Sequence, residues 1–167
     1  MNTNKLITEI GSIDLSLITK LQQIISFHKN IIIIGNGGSN SIASHISQDY
    51  TKMLGKRAIS FSDPSRLTCY INDYGRDEAY VEFLKDFADI DTLVILISSS
   101  GNSKNITNCK DYCSNLNIPY ITLSGFSKDN KLRTNNASYK PLLDYWVDSE
   151  DYGIVECCHL IFLHSII

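Results

Sequence analysis

Four serine hydroxyls lie close together in the sequence and could bind an anion. Ser98, Ser99, Ser100 and Ser103 belong to the segment SSSGNS, directly after an apolar run at 92–97. Hydroxyl and backbone donors without positive charge suit a phosphate monoester at a helix N-terminus, whereas a triphosphate would require lysine and magnesium. Helix capping is the alternative, but four serines within six residues exceed what a cap requires. We therefore expect this segment to bind phosphate.

A glycine-rich turn, GNGGS, follows four consecutive isoleucines at 31–34. Its glycines allow a close approach of the backbone to a ligand, and a helix that begins near Ser39 offers free N–H groups to an anion. The segment is neither the dinucleotide pattern GxGxxG nor a P-loop, because no Gly-Lys-Ser/Thr follows. No nucleotide cofactor is therefore expected. A tight turn without a ligand remains the alternative.

Histidines and carboxylates occur at helical spacing in two places. His45 and Asp49 are four residues apart and share one helix face. Near the end of the chain, Glu156, His159 and His164 lie among apolar residues. Each alone could be a satisfied core group, but together they could form a zinc-type metal site or an acid/base pair. Glu156 and His164 would be separated by about 12 Å along a continuous helix, so both reach one ion only if the helix is irregular or the two residues come from different subunits.

The elements that must position these groups alternate between apolar runs and helical patterns. Unbroken apolar runs without alternation are typical of strands buried on both faces of a parallel sheet, so the pattern predicts a doubly wound α/β fold. Ligands of such sheets bind at the carboxyl ends of strands. The glycine turn and the serine segment should therefore face each other across a crevice. Strands are predicted at 31–34, 57–62, 92–97, 120–123 and 145–147.

Helices are predicted between and around these strands. Apolar spacings of three and four predict one amphipathic helix over 4–28, weakly interrupted by Gly11. A polar loop is expected at 72–75 and a polar connection at 125–137, and a closing helix is expected over 153–167.

Composition narrows the class of protein. A chain of 167 residues, 43% of them hydrophobic, predicts one domain over 1–167. A net charge of −3 without a basic run argues against a nucleic-acid partner. The start MNTNKLITEI resembles no secretory leader, and the apolar stretches are too short for a membrane span, so we expect a cytoplasmic protein without a membrane partner. Five cysteines without a CxxC pattern are expected to be reduced.

Four motifs together resemble the phosphoheptose (sedoheptulose 7-phosphate) isomerases of the sugar isomerase (SIS) superfamily. They are GNGGS followed by His45, LTCYINDYG at 67–75, SSSGNS at 98–103, and the pattern EXXHXXXXH that begins at Glu156. The resemblance extends from Ile31 to the end of the chain. The glycine and serine segments are typical of the superfamily, whereas His45 and the last pattern indicate the phosphoheptose branch.

The resemblance implies a three-layer, doubly wound sheet of five parallel strands (SIS, flavodoxin-like) with an N-terminal helix and a closing C-terminal helix. It also implies a homotetramer with active sites shared between subunits, in which the helical segment 1–30 serves oligomerisation. The implied reaction converts sedoheptulose 7-phosphate to D-glycero-D-manno-heptose 7-phosphate through an enediol, for the heptose of lipopolysaccharide or capsule. The implied small-molecule partner is a sugar phosphate.

Roles for individual residues follow from the resemblance. The four serines would hold the phosphate, and the other substrate contacts would be Asn36, Gly37, Gly38, Ser39, Asn72, Asp73 and Glu156. Some members bind zinc at positions that correspond to His45, Asp49, Glu156 and His164. Because an enediol mechanism requires a base that moves a proton between C1 and C2, Asp49 is the candidate base and His164 its acid/base partner.

This chain departs from the family pattern at these positions. Asp49 replaces a glutamate and is one methylene shorter, and a displacement on the order of 1 Å can cost about a hundredfold in rate. Glu156 replaces a glutamine, and two neighbouring carboxylates raise one pKa or require a cation between them. Met53 stands where an arginine is usual. The second carboxylate favours a bound metal, with zinc as the expected ion, or else a changed function.

Two other functions are compatible with the fold. One is a non-catalytic SIS module that binds a sugar phosphate or a partner protein such as a replication initiator. The other is a phosphosugar-sensing domain of a regulator, which the single predicted domain disfavours. A binding module has no need for four ionisable side chains at the positions of a catalytic set, so the sequence favours an enzyme.

Overall fold

A computed structural model of the protein describes residues 1–134 and 139–167. In these ranges five parallel strands form one sheet with the order β2-β1-β3-β4-β5. The order reverses between β1 and β3, which is where doubly wound sheets bind ligands. The strands are β1 (Asn30–Ile34), β2 (Arg57–Ser60), β3 (Thr92–Ser98), β4 (Tyr120–Ser124) and β5 (Leu143–Trp146).

Helices cover both faces of the sheet and complete the three layers. The helices are α1 (Thr3–Gly11), α2 (Leu15–Phe27), α3 (Gly38–Leu54), α4 (Pro64–Tyr74), α5 (Ala79–Phe87), α6 (Lys104–Leu116) and α7 (Tyr152–His164). α1, α2, α3 and α7 share one apolar core with the sheet, whereas α4, α5 and α6 share the other. The prediction of a three-layer, doubly wound α/β fold with five parallel strands is therefore confirmed.

The isoleucine run explains why β1 lies at the centre. Side chains alternate across a strand, so Ile31 and Ile33 pack in the core with α3 and α7, while Ile32 and Ile34 pack in the core with α5 and α6. All four are buried, and β3 beside them is buried at every position. β1 and β3 therefore hold the segments that follow them on a rigid base.

The prediction of one N-terminal helix over 4–28 is wrong, because two helices cover this range. α1 ends at Gly11, and Asp14 then caps α2 by accepting a hydrogen bond from the Ser16 amide at 2.8 Å. The apolar spacing continues through the break because both helices pack on the same core. The weak interruption predicted at Gly11 is therefore a complete break between two helices.

Two loop predictions have different outcomes. Residues 72–74, expected in a polar loop, form the last turn of α4, which ends at Gly75 with a φ of 76°. The polar connection expected at 125–137 is a series of turns as far as Thr134, and its last three residues lie outside the described residues. No helix in the described part of the chain is long and apolar enough to cross a membrane.

Candidate active site

The segments that follow β1 and β3 face each other across a cleft of about 340 Å³. This is the crevice expected from the parallel sheet, and it lies at the point where the strand order reverses. The residues that line it are Asn36, Gly37, Gly38, Ser39, Arg76, Ser98, Ser99, Ser100, Ser103, Tyr152 and Glu156.

Two helices, α3 and α6, begin at this cleft, and neither has a side-chain cap at its N-terminus. α3 begins after Gly37, which has a φ of 54°, and α6 begins after Ser103, whose hydroxyl accepts a hydrogen bond from Ser98 Oγ at 3.3 Å. The Ser99 hydroxyl is buried and has no hydrogen-bond partner among the described residues. Uncapped N–H groups, hydroxyl donors and the positive helix ends form a suitable anion site.

A pair of amides joins the two sides of the cleft. Asn36 Nδ2 donates to Asn105 Oδ1 at 3.0 Å, and Asn105 Nδ2 donates to Asn36 Oδ1 at 2.9 Å. Asn105 is buried and lies in the first turn of α6. The reciprocal pair fixes the glycine turn relative to the serine segment. Asn105 could not be identified from the sequence, because only the folded topology brings it next to Asn36.

The buried side chain of Asn130 supports the serine segment from behind. Its Nδ2 donates to Ser124 Oγ at 3.1 Å and to the Ser127 carbonyl at 2.8 Å. Gly101 has a φ of 65°, and a Cβ at this position would overlap the Asn130 side chain. The Leu132 amide donates to the Gly101 carbonyl at 2.9 Å. Asn130 therefore packs against the backbone of the serine segment at Gly101, and no local pattern in the sequence indicates this contact.

A cluster of two histidines and an aspartate lies where α3 packs against α7. His164 Nε2 is 3.0 Å from Asp49 Oδ2, and His45 Nε2 is 3.4 Å from the same oxygen. Tyr50, the residue after Asp49, donates to the Leu163 carbonyl at 2.9 Å and fastens the two helices together. One ligand atom from each of His45, Asp49 and His164 lies within 4.8 Å of the others. Two imidazoles and a carboxylate at these distances fit a zinc ion with a free coordination position.

Glu156 lies apart from this cluster within one chain. α7 is continuous from Tyr152 to His164, so the separation expected from the sequence applies. The Glu156 carboxylate packs against Gly38 at the start of α3 and lines the cleft between the glycine turn and the serine segment. Burial raises the pKa of this carboxyl above its ordinary value. A role for Glu156 as a metal ligand stays a prediction.

The remaining predicted contacts have separate places. Asn72 and Asp73 are exposed on the last turn of α4, and Asn72 Nδ2 donates to Asp73 Oδ1 at 3.0 Å. They are not among the residues that line the cleft in one chain, so their substrate contact stays a prediction. Arg76 and Tyr152 do line the cleft and were missed. Two features of the sequence could have indicated them. Arg76 directly follows the LTCYINDYG motif, and Tyr152 lies four residues, about one helical turn, before Glu156.

His159 faces the core and supports β4. It is fully buried, its Nε2 donates to the Ser124 carbonyl at 3.1 Å, and its Nδ1 has no hydrogen-bond partner among the described residues. Burial disfavours the charged imidazolium and lowers the pKa of His159 to about 4. His159 is therefore neutral at pH 7 and does not join the cluster of His45, Asp49 and His164.

The low pKa of His159 predicts a loss of stability in acid. Between the folded pKa of about 4 and the ordinary value near 6.5, the unfolded chain binds more protons than the folded one. The stability contributed by neutral His159 is therefore complete above about pH 6.5 and is lost as the pH falls. Between pH 7.5 and pH 5 we expect this histidine to cost about 2 kcal/mol of unfolding free energy, measured by urea denaturation at both values.

A histidine substitution isolates this contribution. His159→Gln removes the titrating group, so its loss of stability between the two pH values should be smaller than that of the wild type. His28→Gln is the matched control, because His28 is also buried and its replacement leaves His159 in place. Equal acid sensitivity of His159→Gln and wild type would contradict the assignment.

Comparison with known proteins gives the same family from sequence and the same fold from structure. The chain is 31% identical over 153 residues to the phosphoheptose isomerase of Fusobacterium nucleatum, covering 89% of this chain and 76% of the relative. It is 32% identical over 142 residues to the phosphoheptose isomerase of Helicobacter pylori strain P12, covering 80% and 70%. A solved phosphoheptose isomerase from Francisella tularensis superposes with a TM-score of 0.83 at 19% identity, covering 96% of this chain and 88% of that one. No protein-family model matches the chain.

The sheet order, the phosphate-type cleft and these similarities define an enzyme of the sugar isomerase (SIS) fold. Within that class the chain belongs to the phosphoheptose isomerase family, as its motifs indicated. It is a sugar-phosphate isomerase.

Proposed function

We propose that the protein converts sedoheptulose 7-phosphate to D-glycero-D-manno-heptose 7-phosphate, as a step towards the heptose of lipopolysaccharide or capsule. The Asp49–His164 contact of 3.0 Å carries this proposal. It provides a carboxylate and an imidazole in direct contact, which is what proton transfer between two adjacent carbons requires. The names of the relatives support the seven-carbon substrate.

In this mechanism Asp49 removes a proton from the carbon beside the carbonyl and returns it to the neighbouring carbon. His164 donates a proton to the C2 carbonyl oxygen, which gives the enediol, and then takes back a proton from the C1 hydroxyl as the aldose carbonyl forms. Asp49 is half-buried, and its contact with both His164 and His45 orients its carboxylate. The serine segment and the N-termini of α3 and α6 hold the phosphate at the other end of the substrate.

The spacing along α3 supports an active site shared between subunits. Gly38 and Asp49 are eleven residues apart on this helix, which is about 16 Å along its axis. An extended seven-carbon sugar phosphate is shorter than this. We therefore propose that the phosphate cleft of one subunit faces the His45–Asp49–His164 cluster of another, in a homotetramer.

The N-terminal segment 1–30 is the proposed surface for this assembly. Phe27, Leu15 and Ile7 on α1 and α2 are 86%, 75% and 63% exposed. Large apolar side chains that remain exposed on these two helices suit contact with another subunit. We propose that residues 1–167 form one SIS domain in which this segment serves oligomerisation.

Zinc is the proposed metal at the histidine–aspartate cluster. His45, Asp49 and His164 would hold it, because their ligand atoms lie within 4.8 Å of one another. Bound there, the ion would supply a Lewis acid that polarises the substrate carbonyl, in place of the proton that His164 donates when no metal is bound. The proposed role of Glu156 is a substrate contact at the phosphate cleft, with metal ligation from a second subunit as its alternative role.

A double serine variant tests the phosphate end of the site. Ser100→Ala with Ser103→Ala should weaken binding of sedoheptulose 7-phosphate at least tenfold, because hydrogen bonds to a charged group are each worth about 1.5–3 kcal/mol. Calorimetric titration measures the affinity, and an NMR assay with the same substrate measures isomerisation directly. Ser65→Ala with Thr68→Ala, two exposed hydroxyl residues on α4, is the matched control. Unchanged affinity of the first variant would contradict the phosphate assignment.

A further inference from the structure

The charges that line the phosphate cleft are unusual for a site that binds a dianion. Among the lining residues Glu156 is acidic and Arg76 is basic, and the five serines are neutral. The Glu156 carboxylate already lies at the N-terminus of α3. A phosphate that enters beside it brings more negative charge, so repulsion opposes binding unless a cation is present.

Arg76 is held at the phosphate end of the cleft by its two acidic neighbours. Lys104 Nζ lies 3.0 Å from Asp77 Oδ2, and Asn108 Nδ2 donates to Glu78 Oε1 at 2.9 Å. Lys104 is the first residue of α6, directly after the serine segment, and Asn108 is one turn later. The turn that carries Arg76 is therefore fastened to the helix whose N-terminus closes the anion site.

The Arg76 guanidinium is available for a ligand. Its acidic neighbours Asp77 and Glu78 have partners on α6. Arg76 is exposed and takes part in no ion pair within the described part of the chain. Because no carboxylate of the described residues pairs with Arg76, its full donor set is free, and the planar fork of arginine matches two oxygens of a phosphate.

We propose that Arg76 binds the substrate phosphate and makes this cleft selective for sugar phosphate dianions over neutral sugars. The proposal rests on the proposed function, because it takes the phosphate to lie on the serine segment. Arg76 offsets the charge of Glu156 and adds two charge-assisted hydrogen bonds to those from the hydroxyls. Without Arg76, only a helix N-terminus and neutral serine hydroxyls would stabilise the negative charges of the phosphate and of Glu156.

Arginine substitutions test this role by titration with sedoheptulose 7-phosphate and, separately, with inorganic phosphate. Arg76→Gln should weaken both affinities ten- to a hundredfold, since the lost bonds join two charged groups. Arg76→Lys keeps the positive charge but lacks the planar guanidinium group, so its affinity for both ligands should fall less than that of Arg76→Gln. In the isomerase assay Arg76→Gln should raise KM while kcat changes by less than about threefold, because the phosphate contact is the same in ground and transition states.

Arg66→Gln is the matched control for a lost surface arginine. The Arg66 guanidinium lies 4.9 Å from the centre of the Phe87 ring on the α4–α5 layer, and the residue does not line the cleft. Its variant should bind both ligands as the wild type does. Thermal unfolding of Arg76→Gln and Arg66→Gln verifies that both variants are folded.

The outcomes separate this proposal from the function on which it rests. If Arg76→Gln binds both ligands as tightly as wild type while the double serine variant binds weakly, the Arg76 proposal is wrong and the phosphate site stands. If the wild-type protein neither binds nor isomerises sedoheptulose 7-phosphate, the proposed function fails and the Arg76 proposal fails with it. A tenfold or larger loss of affinity that is confined to Arg76→Gln and the double serine variant supports both the Arg76 proposal and the proposed function.

Discussion

Asp49→Asn is expected to lower kcat for sedoheptulose 7-phosphate by about a thousandfold, with KM changed only a few fold. An amide cannot accept the proton that the carboxylate removes, and a positioned general base contributes about 10²- to 10⁴-fold. The amide is close in size to the carboxylate and can keep the contact with His164, which is 3.0 Å long in the wild-type protein. The variant should therefore fold as the wild type does. NMR observation of the substrate and product signals measures the rate directly.

Asp111→Asn is the control for the lost charge. Asp111 is exposed on α6, in the helical layer on the other face of the sheet, and its variant should retain wild-type kcat. If Asp49→Asn retains more than a tenth of wild-type kcat, Asp49 is not the base.

Metal content is determined on the same samples. Wild-type protein purified without chelator should contain about one zinc ion per chain, and Asp49→Asn should contain less. Fully active, metal-free protein would contradict the zinc proposal and would leave Asp49 and His164 as a plain acid/base pair.

Gly101→Ala is expected to lower the free energy of unfolding by about 3 kcal/mol and to weaken sugar-phosphate binding at least tenfold. Two effects add here. A side chain at a φ of 65° is strained, which costs about 1–2 kcal/mol, and the new methyl group overlaps Asn130, which is only 1% exposed. The displaced backbone carries the serine segment with it. Urea denaturation and calorimetric titration measure the two losses.

Gly55→Ala separates strain from overlap. Gly55 ends α3 with a φ of 63°, and a Cβ there would meet no atom within 4 Å. This variant should lose only about 1 kcal/mol and keep its affinity for sugar phosphate. Equal losses in Gly101→Ala and Gly55→Ala would show that the Asn130 contact contributes nothing. In a double variant with Asn130→Ala the two losses of stability should be less than additive, because the overlap between the new methyl group and Asn130 is gone.

The features that could be predicted from the sequence are those encoded by local patterns. The Ile31–Ile34 run and the apolar run before Ser98 identify two buried parallel strands, and the carboxyl ends of such strands lie at one edge of the sheet. The glycine turn and the serine segment were therefore expected to meet. His45 and Asp49 share a helix face by spacing alone.

Other features depend on contacts between distant parts of the chain. Asn105 and Asn130 are single polar residues without periodicity, and only folding brings them beside Asn36 and Gly101. Arg76 enters the cleft because Asp77 and Glu78 attach its turn to α6. The break after Gly11 was predicted only as a weak interruption of one helix, because the apolar spacing continues through it. Contacts of this kind cannot be predicted from the residue pattern of a single segment.

The reciprocal amide pair between Asn36 and Asn105 has a consequence for how this chain can evolve. Each side chain satisfies both the donor and the acceptor of the other. Replacing one leaves the other unsatisfied beside the cleft, whereas replacing both by groups that fit each other can be nearly neutral. A lineage that passes through either single replacement loses fitness before it reaches the double one. We therefore expect the two positions to change together. Related sequences should carry either both asparagines or a different residue at each of the two positions.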